Sequence, residues 1–303
     1  MNADLMGLIV KREDGSEIVN YDNPPFPSYI YDGWVAPKVT WERVPHFHED
    51  IEIVTVTKGS MAYSVNGKTL LLNEGDTIVV NSNQIHYSMS INDEVAKYVI
   101  FIAHPNILNS SVMVEMQAIR PIIDNPDLPY IRFRDINECT EEIAALVTAL
   151  PDKRNDPFEV TKQFFLIWDI VRKKVEWIGK SDESSSYDPR KQHLKIMMQY
   201  IANNFQSTIT LDDIAKSAGI SKSLCNVIFK QYVEESPVTY LMHFRVRKVA
   251  EYLRSDSRPL SEIAEITGFG GTSYMAETFK KFYGMSPREY KKLTRENSPN
   301  ITG

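Results

Sequence analysis

Three histidines and one glutamate are spaced so that their side chains can meet. His46 and His48 are followed by Glu52, and His86 lies eleven residues after Gly75. Side chains alternate between the two faces of a strand, so residues 46, 48, 50 and 52 are expected on one face. If that face points into a barrel, two imidazoles and a carboxylate converge, and His86 joins them from a later strand.

This group of side chains is suited to two kinds of chemistry. Three imidazoles and a carboxylate can bind Zn²⁺, Fe²⁺, Mn²⁺ or Ni²⁺. The same groups can also form hydrogen bonds with the hydroxyls of a small molecule. The residues resemble those of regulatory cupin domains, and this resemblance implies the second interpretation, with no required cofactor and a divalent metal ion as the alternative. The predicted effector-binding residues are His46, His48, Glu52, His86, Trp41 and Tyr87, and Tyr31, Trp34 and Tyr63 are further candidates for the aromatic wall.

The spacing resembles the double motif of the cupin domains. The first half of that motif is complete, from His46 to Gly59. The second half departs from it, because the proline, glycine and asparagine of the common pattern are Asn81, Asn83 and Ser90. The resemblance implies a jelly-roll barrel that senses a small molecule.

Two segments near the other end of the chain repeat one pattern. They read LDDIAKSAGISKSLCNVIFKQY (211–232) and LSEIAEITGFGGTSYMAETFKKFYG (260–284). Each has Leu-x-x-Ile-Ala, a glycine able to adopt positive φ at a helix end, and a polar start to a second helix. Ser221 and Thr272 are predicted to cap those second helices. The pattern predicts two helix-turn-helix motifs, whose second helices enter the DNA major groove.

The outward faces of the two recognition helices are predicted from helical periodicity. Asn226 is the best candidate for reading a base, since its amide can bond adenine bidentately, whereas Lys222 and Lys230 suit phosphates. The long segment 239–254 is expected to hold the two helices about 34 Å apart, one turn of DNA. The candidates are Lys222, Ser223, Asn226, Val227 and Lys230 in the first helix, and Thr272, Ser273, Ala276, Glu277 and Lys280 in the second. Residues predicted to be core are Ile228, Phe229, Ile263, Phe269, Tyr274 and Phe279.

Residues 191–292 resemble the AraC/XylS family of bacterial transcription regulators. The family's closing signature stands here as IAEITGFGGTSYMAETFKKFYGMSPREYKK (263–292), and its bridging helix matches at Tyr240, Leu241, Arg245, Ala250 and Leu253. The resemblance implies an activator that binds a double-stranded DNA operator, responds to a sugar or related metabolite, forms a homodimer and contacts RNA polymerase.

This chain departs from the family at Glu234, where glycine is usual, and at Val227 and Glu277, where arginine is frequent. Val227 can contact a thymine methyl and Glu277 can accept from cytosine N4. Arg245, Arg247 and Lys248 on the bridging helix are candidates for contacting the DNA backbone. The alternatives are a structural role for Arg245 and a solvated or ion-paired face for these residues.

The elements that position these residues change in kind along the chain. Alternating apolar residues predict strands at 51–57, 61–67, 77–81 and 96–103, whereas helical spacing begins near residue 110. The predicted fold is therefore α+β, with a cupin-like barrel before an all-α domain that holds two helix-turn-helix motifs. The predicted divisions are a barrel at 1–108, a helical dimerisation segment at 109–179, a Ser-rich linker at 180–190, the DNA-binding domain at 191–295 and a tail at 296–303.

Composition limits the class of protein. The 303 residues are 43% hydrophobic and 24% charged, which excludes a wholly disordered or fibrous chain. Residues 188–303 carry 17 basic and 12 acidic side chains, so this part is basic although the whole chain has a net charge of −6. No run is apolar enough to span a membrane and no signal peptide stands out, so we expect a cytoplasmic protein that joins the nucleoid when it binds DNA.

We expect no enzyme activity. The alternatives are a metal-dependent cupin enzyme or metal sensor fused to a DNA-binding module, and an architectural protein with an inert barrel.

Overall fold

The computed structural model describes residues 10–11, 16–37, 43–92, 94–134, 138–178, 188–255 and 258–296. The chain divides into two compact units, one built from Ser16–Pro37 and Glu42–Asp188 and the other containing Pro189–Gly303. Most of the linker predicted at 180–190 and most of the tail predicted at 296–303 lie outside the described residues. The two units are described separately below.

The first unit is built on two antiparallel sheets. The five-stranded sheet has the order β10-β7-β4-β9-β3, and the three-stranded sheet has the order β6-β5-β8. The strands predicted at 51–57, 61–67, 77–81 and 96–103 are confirmed as β4, β5, β7 and β9. The described strands of this unit are β2 (Glu17–Ile18), β3 (Ser28–Val35), β4 (Ile51–Lys58), β5 (Ser60–Val65), β6 (Lys68–Asn73), β7 (Thr77–Val80), β8 (His86–Ser90), β9 (Ala96–Ala103) and β10 (Tyr130–Phe133), whereas β1 (Val10–Lys11) lies outside it.

Strand β4 turns its two sets of side chains toward different parts of this unit. Ile51 and Ile53 belong to a core shared with Phe101 of β9 and with the helices. Glu52 lies on the opposite face of β4, because neighbouring side chains alternate. It contacts Tyr63 of β5 and His86 of β8, so this face meets the three-stranded sheet.

Helices of the first unit pack on the five-stranded sheet. One face of α4 contributes Phe164, Ile167 and Val171 to the core shared with that sheet. The opposite face leaves Phe158 and Leu166 exposed. The helices are α1 (Val112–Val114), a π-helical turn (Glu115–Ile119), α2 (Arg120–Ile123), α3 (Glu138–Thr148) and α4 (Pro157–Ile178).

The helical segment predicted at 109–179 also contains one strand that the sequence pattern does not predict. Residues Tyr130–Phe133 form β10, which pairs antiparallel with β7 at the edge of the five-stranded sheet. Ile131 and Phe133 of this strand are buried in the sheet–helix core. Four residues give too few alternations for a strand to be recognised between two helical runs. The sheet therefore draws on chain beyond the predicted barrel limit at residue 108.

In the second unit, the described residues from 189 onward form helices and the turns between them. Helices α6 and α7 form one helix-turn-helix, α9 and α10 form the other, and α8 connects them. No helix in the described part of the chain is both long and apolar enough to cross a membrane. The helices are α5 (Arg190–Asn204), α6 (Leu211–Ser217), α7 (Lys222–Val233), α8 (Pro237–Ser255), α9 (Leu260–Ile266), α10 (Thr272–Tyr283) and α11 (Pro287–Glu296).

Candidate functional site

The first helix-turn-helix has capped helices on both sides of its turn. Thr210 and Asp213 form a reciprocal capping box at the start of α6. Gly219 ends the turn at φ +67°, a left-handed conformation that favours glycine. Ser221 then caps α7, since its hydroxyl accepts a hydrogen bond from the backbone N–H of Leu224 at 3.2 Å. The predicted role of Ser221 is confirmed.

All five residues predicted on the outward face of α7 are exposed. In the free protein three of them have partners within their own helix-turn-helix. The Asn226 amide donates to the carbonyl oxygen of Lys222 at 3.0 Å, and the Lys230 ammonium donates to that of Glu234 at 3.0 Å. Lys222 lies 3.7 Å from Asp212. Contacts of this exposed kind contribute little free energy, so DNA can displace them. The exposed residues are Lys222, Ser223, Asn226, Val227 and Lys230.

Glu234 keeps the turn that family members usually make with glycine. It ends α7 at φ +62° and ψ +7°, which is the left-handed helical region. The departure in sequence therefore leaves the backbone course unchanged. It places conformational strain at this position, because a side chain with Cβ disfavours that region.

The second recognition helix begins differently. Gly271 is the N-cap residue of α10, and no side chain caps the helix there. The prediction that Thr272 caps this helix is therefore wrong, because Thr272 is already the first helical residue and is half-buried. Ser273, Glu277 and Lys280 are exposed as predicted.

Tyr274 was predicted to be core, and that prediction is wrong. Its side chain is 56% exposed, on the first turn of α10. Met275 and Phe279 are the buried stripe of this helix, and Tyr274 is rotated about 100° away from Met275. The spacing of Met275 and Phe279, four residues apart, marks the buried face of the helix and places Tyr274 outside it. Tyr274 is therefore a further candidate for contacting DNA.

The three basic residues of α8 differ in their surroundings. Arg245 is buried and donates to two backbone carbonyls, which gives it a structural position. The Arg247 guanidinium lies 5.9 Å from the ring centre of Tyr240. The Lys248 ammonium donates to Glu251 at 2.7 Å. Direct phosphate contact by Arg245 is inconsistent with its burial.

In the first unit the structure brings His46, His48, Glu52 and His86 together. One ligand atom from each of the four side chains lies within 4.8 Å of all the others. Glu52 Oε2 lies 3.3 Å from Nε2 of His48 and 3.2 Å from Nε2 of His86. The predicted convergence is therefore present, and the hydroxyl of Tyr63 donates to the other oxygen of Glu52.

The strand predicted to carry the first three of these residues is shorter than expected. β4 begins only at Ile51, and His46 instead forms an isolated bridge with His86. His46 and His86 exchange backbone hydrogen bonds of 3.1 and 2.9 Å. The convergence thus comes from that bridge and from the bend at 49–50, whereas alternation along one continuous strand is the wrong explanation.

Each histidine ring is held by a backbone carbonyl oxygen. Nδ1 of His46 bonds to Val44 at 2.7 Å, Nδ1 of His48 to Asp50 at 3.1 Å, and Nδ1 of His86 to Gln84 at 2.8 Å. A carbonyl can only accept, so Nδ1 carries a hydrogen in each ring. Nε2 then presents a lone pair when the ring is neutral, and donates a hydrogen bond to Glu52 when the ring of His48 or His86 is protonated. Metal-binding histidines are oriented in this way.

Two separations within the cluster are those of ligands that share one metal ion. Two ligands about 2.1 Å from one ion at a tetrahedral angle lie about 3.4 Å apart. The separations of 3.3 and 3.2 Å between Glu52 and the two histidines match that value. His48 and His86 are each only 1% exposed and Glu52 is 2% exposed, so these donors surround a point inside the barrel.

The electrostatics of the cluster favour an ionised glutamate. Burial alone would raise the pKa of Glu52, but the charge of His86 and hydrogen bonds from His48 and His86 hold that pKa well below its usual range. Burial and the neighbouring His86 keep the pKa of His46 well below its ordinary value. Burial alone would lower the pKa of His48, but its hydrogen bond to Glu52 and the charge of Glu52 outweigh burial and raise it. A buried carboxylate thus faces imidazoles that differ in basicity.

The predicted aromatic residues do not all join this cluster. Tyr63 does, and its ring stacks on His86 with centroids 6.2 Å apart. Tyr87 does not, because it follows His86 directly on β8 and therefore points to the opposite face. Tyr31 and Trp34 lie on opposite faces of β3, and Trp41 lies outside the described residues.

Two family models match the chain in the regions described above. One, described as a helix-turn-helix domain, matches residues 214–293. The other, described as a cupin domain, matches residues 35–102. The first begins within α6 and includes the rest of both helix-turn-helix motifs, and the second includes all four residues of the histidine–glutamate cluster.

Relatives of the chain are transcription regulators. The uncharacterized HTH-type transcriptional regulator YdeC of Bacillus subtilis is 26% identical over 283 residues, which cover 91% of this chain and 96% of that protein. The lactose operon transcription activator of Staphylococcus xylosus is 22% identical, over 78% of this chain and 81% of that protein. A putative AraC-like transcription regulator of Streptomyces antibioticus is 36% identical over 83 residues, or 27% of each chain. The resemblance to AraC-family transcription regulators is thus confirmed, with a cupin domain ahead of a helix-turn-helix domain of that type.

Proposed function

We propose that this chain activates transcription by placing α7 and α10 in successive major-groove segments of an operator. The observation that carries the proposal is that both helices expose polar side chains on one face while their other face is buried in the domain core. The basic balance of residues 188–303 supports binding to a polyanion. The domain binds DNA in the bacterial cytoplasm, and an activator also requires contact with RNA polymerase.

The residue chemistry divides the DNA contacts into two groups. Lys222, Lys230 and Lys280 suit phosphates, because a flexible ammonium carries charge without sequence information. Asn226 suits adenine, Val227 a thymine methyl, and Glu277 the N4 amino group of cytosine. The remaining members of the interface are Thr272, Ser273 and the exposed Tyr274.

Selection of duplexes from a random library by the full chain, followed by affinity measurements on the selected duplex and its single-base variants, tests this function. Lys222→Ala should weaken binding to every duplex alike and reduce the dependence of affinity on salt. Asn226→Ala should lose about 1–3 kcal/mol and relax the preference at one base pair. Loss of affinity that is uniform over all duplexes for both variants would show that Asn226 does not read a base. Failure to enrich any sequence would contradict the function.

We infer that the first unit binds a small-molecule effector, with a sugar as the leading class. The support is the similarity to the lactose operon transcription activator of Staphylococcus xylosus, which matches 78% of this chain. An effector can shift the regulator between states only by its difference in affinity for them. In a homodimer that difference would change which pairs of half-sites the two DNA-binding domains occupy together.

The outward face of α4 is our candidate for the dimer contact. Phe158, Phe165 and Leu166 are exposed there, although α4 is otherwise packed on its own sheet. An exposed apolar row on a helix is typical of a protein–protein contact. A second copy of this chain would cover this face, as the AraC-family resemblance implies.

The histidine–glutamate cluster favours a second candidate function, binding of a divalent metal ion. His46, His48 and His86 would supply Nε2, and Glu52 would supply a carboxylate oxygen. Four donors within 4.8 Å of one another converge on the volume of one ion, whereas a sugar ring is larger. A bound ion would supply positive charge and Lewis acidity, so the chain would serve as a metal sensor or, as the alternative from another class, a metal-dependent cupin enzyme.

Metal analysis of the chain purified without chelator or polyhistidine tag separates the two candidates for the barrel. A stoichiometric ion that is lost in His48→Ala, but retained in His104→Ala as the matched histidine control, would establish the metal site. Absence of metal together with a melting shift caused by one class of sugar would establish the effector site. Turnover of a sugar by the metal-loaded protein would support the enzyme. A protein that binds neither metal nor any sugar would contradict both proposals.

A further inference from the structure

Arg245 connects two parts of the DNA-binding domain that are distant in sequence. It lies in the middle of α8 and is only 9% exposed. Its Nε donates to the carbonyl oxygen of Phe205 at 2.8 Å, and its Nη2 donates to that of Ser207 at 2.7 Å. Phe205 is the C-cap residue of α5, so the guanidinium binds carbonyl groups at the end of that helix.

Arg245 forms hydrogen bonds at the end of α5, but its burial removes water from a cation, which costs free energy. Burial lowers the pKa of Arg245 from its usual value. A guanidinium has several donors in a rigid plane, and two of them here bind two carbonyl oxygens of one short segment. An arginine in this position thus fixes the direction as well as the distance between α8 and α5.

Gly268 brings a third element to the same place. It ends α9 at φ +75°, in the turn that leads to the second recognition helix. A Cβ added at Gly268 would overlap the carbonyl oxygen of Phe205 and lie 2.9 Å from Nε of Arg245. The turn therefore packs directly on the hydrogen bond between Arg245 and α5.

These three elements belong to different halves of the domain. Helix α5 packs on α6 and α7 of the first helix-turn-helix, and Gly268 belongs to the second. Helix α8 connects the halves covalently and packs on helices of both of them. The contact of Arg245 and Gly268 with the end of α5 adds a direct contact between the two halves themselves.

We propose that Arg245 is a positioning residue which, with Gly268, locks the α9–α10 turn onto the end of α5 and so sets the distance and orientation between the two recognition helices. The inference goes beyond the proposed DNA binding, because it concerns the free domain. Its test needs no DNA, so its failure is distinguishable from a failure of the proposed function.

The test is double electron–electron resonance on the full chain with one spin label on each recognition helix. Ser223→Cys and Ser273→Cys place the labels on exposed positions in the first turns of α7 and α10. Cys139→Ser removes the exposed native thiol, whereas Cys225 is buried and can remain. Into this parent chain we introduce Arg245→Met, Arg245→Lys and Gly268→Ala separately. Gly219→Ala is the matched control, because Gly219 has the same left-handed conformation but nothing within 4 Å of its added Cβ.

The parent and Gly219→Ala should give one narrow distance distribution, about 34 Å if the labels follow helices spaced by one DNA turn. Arg245→Met and Gly268→Ala should give a broadened or displaced distribution while far-ultraviolet circular dichroism shows the helices intact. Arg245→Lys keeps the charge without the planar fork and should fall between the two. If Arg245→Met does not fold, the Arg245→Lys distribution decides. Distributions equal to that of the parent in the folded Arg245 and Gly268 variants would overturn the proposal.

Discussion

The two helix-turn-helix motifs use a left-handed glycine at the same point for different reasons. Gly219 ends the first turn at φ +67°, and a Cβ there would meet nothing within 4 Å. Gly268 ends the second turn at φ +75°, but a Cβ there would collide with backbone of α5. The first glycine serves only local conformation, whereas the second also permits tertiary packing. Equal motif positions therefore differ in how much of the domain depends on them.

The largest expected difference is between two single variants, each with alanine in place of one of these glycines. Gly268→Ala combines left-handed strain with overpacking against a backbone oxygen, so we expect a loss of about 3 kcal/mol or more. Gly219→Ala adds only the strain, about 1–2 kcal/mol. Hydrogen exchange followed by mass spectrometry of helical peptides from the full chain measures both losses. Three of the four tryptophans, Trp34, Trp168 and Trp177, belong to the first unit, so the fluorescence spectrum serves as a control that this unit is unchanged. Equal losses in the two variants would contradict the comparison.

The recognition helices should also differ in how they read DNA. Asn226 offers an amide for adenine, whereas Glu277 places a negative charge toward the phosphates unless it accepts from cytosine. We expect Glu277→Ala to lose about 1–3 kcal/mol and to relax the preference at one C·G pair. Affinities of the variant for the selected duplex and its single-base variants measure this. A uniform rise in affinity on all duplexes would instead show that Glu277 only repels the DNA backbone.

A smaller difference concerns the starts of the two recognition helices. Ser221 caps α7, so Ser221→Ala should destabilise the first motif by about 1 kcal/mol. Gly271 leaves α10 without a side-chain cap at φ 174°, an extended conformation open to any residue. Gly271→Ser should therefore stabilise the second motif, by a few tenths of a kcal/mol. Exchange rates in the first turns of α7 and α10 report both changes. A stabilising Ser221→Ala or a destabilising Gly271→Ser would be the contrary result.

The smallest expected effect is at the ends of the same helices. Glu234 ends α7 at φ +62°, whereas Gly284 ends α10 at φ +75°. Glu234→Gly should relieve backbone strain and raise the free energy of unfolding of the first motif by about 0.5–1 kcal/mol. Gly284→Ala, the reverse change at the matching position, should lower that of the second motif by a similar amount. Changes of the same sign in both variants would mean that side-chain contacts outweigh backbone conformation at these turns.

The features that the sequence predicted correctly are local, because each is defined by residues close together in the sequence. The alternation in β4 and β9 and the Leu-x-x-Ile-Ala…Gly pattern are visible within one element. β10 was missed because four residues carry too little periodicity, and Tyr274 was misassigned because an aromatic ring was assumed to be core. A helical wheel based on Met275 and Phe279 corrects the second error.

The sequence predicted which residues form the candidate site in the barrel, but not how the backbone brings them together. The spacing from His46 to Glu52 suggested one strand, but the structure uses a bridge between His46 and His86 that joins distant parts of the sequence. Tyr87 was predicted to line the site, but it follows His86 directly on β8, and alternation places its side chain on the opposite face. The contact of Gly268 with Arg245 and Phe205 is equally non-local, and no single sequence pattern contains it.

The most direct test of the account is a hydroxyl-radical footprint of the full chain on a duplex selected from a random library. If α7 and α10 both enter the major groove, each half-site should show two protected segments about 10 base pairs apart on one face of the DNA. Lys222→Ala should weaken the protection of one segment, and Lys280→Ala that of the other. One protected segment, affected by only one of the two substitutions, would contradict recognition by both helices.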